Sequence, residues 1–168
     1  MTCADPMTFI CQIRLQDIAA YDSENLLPHT GMLYFFADID YFMGNLEADS
    51  PGMGQWDKDR YCVLYDPETE QLDTHRIVRE DGTAFGLPAQ ELSFTHCEEH
   101  ADGFKLLGKP YFEETEEEYP HYISLLQLDC NDDWRLQFYD CGMLNFLITP
   151  EDLAARKWEQ AICHLHSF

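Results

Sequence analysis

Basic residues are scarce in this sequence: ten Lys and Arg stand against 32 Asp and Glu, for a formal net charge of −22 over 168 residues. Binding a phosphate backbone requires Lys and Arg to displace condensed counterions, and anionic membrane surfaces attract polybasic segments. Neither nucleic acid nor a membrane is therefore expected as a partner, whereas a basic protein would be drawn in and its encounter accelerated. Long apolar runs are missing too, and nothing approaches the ~18 consecutive apolar residues that mark a membrane span. The start, Met1-Thr2-Cys3-Ala4-Asp5-Pro6, has no basic segment followed by an apolar block, so no secretory signal is expected.

Paired cysteines are absent as well. Cys3, Cys11, Cys62, Cys97, Cys130, Cys141 and Cys163 are odd in number and scattered, with no Cys-x-x-Cys spacing. A disulfide framework is not expected; free thiols in a reducing cytoplasm are, several of them in apolar strand patterns where Cys acts as a small hydrophobe. No Gly-x-Ser-x-Gly surrounds Ser23, Ser50, Ser93, Ser124 or Ser167, and no phosphate-binding Gly-rich fingerprint occurs, so nucleophilic catalysis and phosphate cofactors have no support. Whether the protein is an enzyme stays open, with the residues leaning against it, and no cofactor is expected.

What is present is a core and a repeat. Apolar residues make up 45% and aromatics 14%, enough to offset chain entropy and form one domain over residues 1–168. Gly31-Met32-Leu33-Tyr34-Phe35-Phe36 returns as Gly142-Met143-Leu144-Asn145-Phe146-Leu147, each copy preceded by a strand-like segment that carries a Gln. The glycines lie 142 − 31 = 111 residues apart and the glutamines, Gln12 and Gln127, 127 − 12 = 115. Repeat halves over about residues 1–80 and 105–168 follow from that spacing.

Along the chain, Thr8 to Leu15 alternates with period two and predicts a half-buried strand. Gln16 to Tyr21 reads as a short helical turn and Met32 to Ile39 as a strand inside a sheet. Arg60 to Tyr65 and Thr74 to Arg79 read as a hairpin about Asp66-Pro67-Glu68-Thr69, and Glu91 to Cys97 as a further strand. Glu98 to Tyr119, centred on Glu113-Glu114-Thr115-Glu116-Glu117-Glu118, predicts a solvated acidic loop. Tyr122 to Leu128, Trp134 to Phe138 and Gly142 to Ile148 follow as strands. A helix then opens with Thr149 as cap and Pro150 at its first position and runs to about Lys157, and Ala161 to His166 closes as a strand. The fold class is α+β: strand-rich, mainly antiparallel sheets with an internal two-fold repeat and one or two short helices.

Several clusters carry residue types suited to chemistry. His96, Cys97 and His100, and Cys163, His164 and His166, lack the spacing of a closed zinc site. Asp129, Asn131 and Asp133 have calcium-loop spacing, but Trp134 takes the place of the required glycine and Asp140 that of the bidentate Glu, which leaves an Asx-type turn. No metal is expected. Gln12, Gln127 and Asp140 are polar residues inside or beside the repeated strands, and either pair with backbone or line a cleft. Trp56 and Trp134 flank loops and are candidate interface anchors or core residues.

The residues from Phe9 to Leu15, then Leu27-Pro28-His29-Thr30-Gly31 and the strand after it, resemble the YwqG-like family of uncharacterised bacterial proteins, domain of unknown function 1963. Lys105-Leu106-Leu107-Gly108-Lys109-Pro110, Leu125 to Asp129, Trp134, Asp140 to Ile148 and Asp152-Leu153 are similar to later segments of that family, in the same order. The resemblance implies an α+β cytoplasmic protein, supplies no catalytic residue, and associates the chain with antitoxin or immunity proteins beside secreted toxins. It also implies a short form, since relatives usually carry a segment before the first strand. Two functions are in play: an acidic binding module that neutralises a basic partner, and an enzyme or small-ligand binder with a cleft between the halves lined by Gln12, Gln127 and Asp140. Neither specifies an oligomeric state.

Overall fold

Each copy of the repeat builds the centre of its own antiparallel sheet. The computed structural model describes residues 6–70, 72–79 and 81–168, so Cys3 and the leader expectation at the N-terminus lie outside the described residues. In chain order the elements are β1 (Thr8–Arg14), α1 (Leu15–Ile18), β2 (Met32–Ala37), β3 (Gly54–Gln55), β4 (Tyr61–Asp66), β5 (Lys105–Leu106), α2 (Glu113–Glu118), β6 (Ile123–Leu128), β7 (Met143–Ile148), α3 (Pro150–Ala154) and β8 (Ile162–His166). The first sheet has the order β1-β2-β4 and the second β3-β8-β7-β6-β5. The fold is strand-rich and antiparallel, with three short α-helices among the described residues where one or two were expected.

The repeat is kept in three dimensions down to register. Gln12 pairs with Tyr34 and Tyr34 with Leu64 in the first sheet; Gln127 pairs with Asn145 and Asn145 with His164 in the second. Both first strands carry a bulge at the same place, between Phe9 and Cys11 and between Ser124 and Leu126, each spanning the third to first residue before its Gln. The two glycines answer to one constraint. A Cβ on Gly31 would stand 2.7 Å from the Asp66 carbonyl, and one on Gly142 2.8 Å from the His166 carbonyl, so the third strand of each sheet crowds the entry of the second. No side chain larger than hydrogen fits there without moving backbone.

The two sheets pack inner face to inner face. Leu33, Phe35, Tyr61 and Val63 of the first meet Leu126, Leu144, Phe146 and Cys163 of the second within one cluster, and Phe35 and Phe146 meet edge-on at 5.3 Å. Leu15 and Ile39 are fully buried at its edges. Phe42 and Leu153, which follow β2 and β7 at the same distance, are buried to 3% and 2%. Alternation in β1 and β2 is therefore the half-buried pattern of a sheet with one wet face.

Four expected elements differ. Thr74 to Arg79 is not a strand: the chain turns on itself about Asp81-Gly82, with Arg79 N–H donating to Thr83 and Phe85 N–H to Ile77, and Ile77 is 50% exposed. Glu91 to Cys97 makes no ladder; only Phe94 touches the core, while Leu92 stays exposed. In Trp134 to Phe138, Asn131 Oδ1 caps a single 3-10 turn and Arg135 adopts a left-handed φ of 55°, which leaves one bridge, Asn131 to Leu136. The helix after Thr149 is capped as expected, Thr149 Oγ1 accepting from Asp152 N–H at 3.1 Å, but ends at Ala154 with Arg156 left-handed just beyond.

The acidic stretch is a fifth difference. It is ordered by β5 and α2 in place of the expected loop. Five of the six residues of α2 are Glu, and like charges three and four apart oppose a helix. Phe112, Thr115 and Tyr119 recur on one face and lock it to the second sheet: Phe112 and Thr115 are buried, and the Tyr119 ring lies 5.1 Å from that of His164. Acids in the first turn also favour the positive end of the helix.

Candidate functional site

The five residues singled out from sequence do not converge. Gln12 is exposed on the outer face of the first sheet. Gln127 is fully buried: its Nε2 donates to the carbonyls of Ala101 and Gly103 at 3.2 and 3.0 Å, and its Oε1 accepts from Tyr111 N–H at 2.9 Å. Every polar capacity of that amide is directed at backbone, so Gln127 pins the acidic segment to the sheet. Asp140 is exposed in the turn before Gly142, where its carbonyl accepts from Gln137. Trp56 is core, stacked on Phe42 and donating to the Gly52 carbonyl. Trp134 is half-buried against Phe104, donates to Gln90, and lines a hollow of about 330 Å³ with Asp40, Asn45 and Arg79. The charges in that hollow are already matched, Arg79 donating to Asp40 at 2.7 Å and Asn45 at 2.6 Å. The space between the two halves, the other expected site, is filled by the apolar core.

Sequence reasoning missed the polar row beneath α2. Ser124 Oγ donates to Asn145 Oδ1 at 2.8 Å, and Asn145 stands opposite His164. Among the described residues, Asn145 Nδ2, His164 Nδ1 and Thr115 Oγ1 are buried without a protein partner. Burial holds the His164 imidazole below its ordinary pKa, against the pull of the Glu118 carboxylate 3.9 Å away, and nearby His166 adds to the depression. Lys105, the other buried base here, donates to the carbonyls of Glu99, Ala101 and Lys109 at 2.8, 3.0 and 2.6 Å. The Gln–Asn–His pairing comes from the repeat and was legible in principle. The cover over it was not, because it depends on a helix that charge patterning argues against.

Outside α2 the surface changes character. Tyr111, Phe112, Phe168, Glu113, Glu114 and Glu117 line a broad open hollow of about 930 Å³. Tyr111 is 44% exposed and packs edge-on to buried Phe112, which also meets Phe168 at 5.2 Å. Glu116 is neutralised by Lys109 at 2.6 Å, with His100 at 3.7 Å. Among the described residues no basic side chain pairs with Glu113, Glu114 or Glu117. Some basic groups elsewhere are engaged within the fold, Arg60 on Asp38, Arg79 on Asp40, Lys157 on Asp152 and Lys58 on the Ala161 carbonyl, while Arg14, Arg76, Arg135 and Arg156 are exposed. Carboxylates and aromatic faces in one concavity suit a Lys or Arg side chain, by Coulomb attraction and by cation–π contact.

A family model described as "Domain of unknown function (DUF1963)" matches residues 2–102 and, overlapping it, residues 72–166. Two matches to one description in one chain fit the duplicated register of the two sheets. Comparison with curated proteins finds no match.

Proposed function

The chain belongs to the DUF1963 family, and we propose that it is an acidic, non-enzymatic binding module that neutralises a basic protein in the cytoplasm, in the manner of an immunity protein or antitoxin. The observation that carries this reading is the unbalanced charge: −22 overall, with the carboxylates of Glu113, Glu114 and Glu117 paired with no basic side chain among the described residues and set beside exposed aromatic rings. Such a surface accelerates encounter with a cationic partner and loses affinity as salt screens it. The cleft reading has less to draw on, because Gln127 is committed to backbone and the space between the sheets is packed.

The test is capture of partners from the native host at low and at moderate salt, with the wild-type chain and with Glu113→Gln/Glu114→Gln/Glu117→Gln. A basic protein retained at low salt, released at moderate salt and weakened by the triple variant is expected. Failure to retain any salt-sensitive basic protein contradicts the reading.

A further inference from the structure

The duplicated halves are covered unequally. In the second sheet the row Gln127, Asn145, His164 is buried at 0%, 0% and 3% because the segment before β6 lies over it: Gln127 bonds its backbone at Ala101, Gly103 and Tyr111, and Tyr119 lies on His164. The equivalent row of the first sheet is Gln12, Tyr34, Leu64. Here Gln12 is exposed, Tyr34 half-buried and Leu64 51% exposed. Beside them Phe9 is 42% exposed and its ring meets that of half-buried Phe36 at 5.4 Å. The repeated units β1-β2-β4 and β6-β7-β8 share order, register and bulge position, so this face is the one the second sheet keeps dry, left wet and furnished with aromatic and aliphatic side chains beside exposed Gln12 and Arg14. Apolar side chains clustered on an uncovered sheet face in this way mark an interaction surface.

We propose that the outer face of β1, β2 and β4, centred on Phe9, Tyr34, Phe36 and Leu64, is a docking surface for a segment of a basic protein that presents apolar side chains flanked by Lys or Arg. The apolar half of that description comes from the face itself. The basic half rests on the reading above, and charge decides it: a second copy would bring another −22 to the same place, whereas a cationic segment is attracted to the molecule as a whole. The rings of Phe9, Tyr34 and Phe36 offer their faces to the flanking cations. The partner segment would sit on the first sheet much as Phe112 and Tyr119 sit on the second.

The experiment uses two synthetic peptides of equal length and charge, one alternating Lys with Leu and one alternating Lys with Ser, titrated into the full chain while backbone amide NMR shifts are followed. The Lys/Leu peptide is expected to bind about tenfold more tightly, a difference of about 1.4 kcal/mol, with the largest shifts at Phe9, Tyr34 and Leu64. Phe9→Ser/Leu64→Ser should abolish the difference between the peptides while the chain stays folded, with only a small drop in thermal unfolding, because both side chains are about half exposed. Equal binding of the two peptides with shifts centred on Glu113–Glu118 overturns this surface and leaves the basic-partner reading standing. Binding of neither peptide overturns that reading and, with it, the occupant proposed here. A dimer in the free protein with these amides protected assigns the face to a second copy and likewise overturns the proposal.

Discussion

The two repeat glycines should be intolerant of alanine, and to different degrees. At Gly142 a Cβ would stand 2.5 Å from the Phe138 carbonyl and 2.8 Å from that of His166, both backbone atoms that cannot swing aside. Relief requires the strands to part, and overpacking of this kind costs about 1–3 kcal/mol. At Gly31 the same crowding, 2.7 Å from the Asp66 carbonyl, adds to a left-handed φ of +83°, which costs an L-residue about 1–2 kcal/mol more. Gly44 is the control: its φ is +96° but nothing lies within 4 Å of its Cβ position, so only the conformational part, about 1 kcal/mol, applies. Thermal unfolding of the three Ala variants should therefore rank Gly31→Ala below Gly142→Ala and Gly142→Ala below Gly44→Ala, at roughly 2–4 °C per kcal/mol for a chain of this size. A Gly142→Ala protein as stable as wild type would refute the claim that the third strand dictates this residue. A Gly44→Ala protein less stable than Gly31→Ala would show that backbone conformation, and not crowding, governs both.

The two glutamines at matching repeat positions should behave in opposite ways. Gln127→Leu leaves the Gly103 carbonyl and the Tyr111 N–H without their partner, the Ala101 carbonyl keeping Lys105, and should cost about 1–3 kcal/mol in urea denaturation, while Gln12→Leu on the exposed face stays within about 0.5 kcal/mol. Equal losses would place Gln12 in an environment other than the one described. His164 sets a pH dependence. Its folded pKa lies below the ordinary 6.5, so above that pH both states are neutral. As pH falls below 6.5 the unfolded chain takes up a proton that the folded one resists, and stability declines until the folded pKa is reached. His164→Gln should flatten that part of the stability profile, and an unchanged profile would count against its burial beneath α2.

Much of the fold was legible because burial imposes period two on β1 and dense apolar runs on β2, β6 and β7. The cap at Thr149 was legible for a local reason, since Thr, Pro and acids at successive positions satisfy the first N–H groups of a helix. Elements set by distant contacts were not. The two-residue strands β3 and β5 carry no periodic pattern and exist only because β8 and β6 offer them free edges. Thr74 to Arg79 has strand composition, yet a local turn at Asp81-Gly82 competes successfully for its backbone. In α2 the charge pattern spoke for a loop, and the wider spacing of Phe112, Thr115 and Tyr119 held the opposite signal. Gln12 and Gln127 looked equivalent because register is a property of strand pairing; their fates diverge because the covering segment lies over one sheet alone.

The proposal that the carboxylates of α2 capture basic side chains is tested most directly by measuring the affinity of the Lys/Ser peptide, which has no apolar side chains to seat on the first sheet, for the full chain across a salt series. The account predicts that log K falls linearly with log salt concentration, and that Glu113→Gln/Glu114→Gln/Glu117→Gln makes the slope shallower. An affinity indifferent to salt, or identical slopes for the wild type and the triple variant, would contradict it.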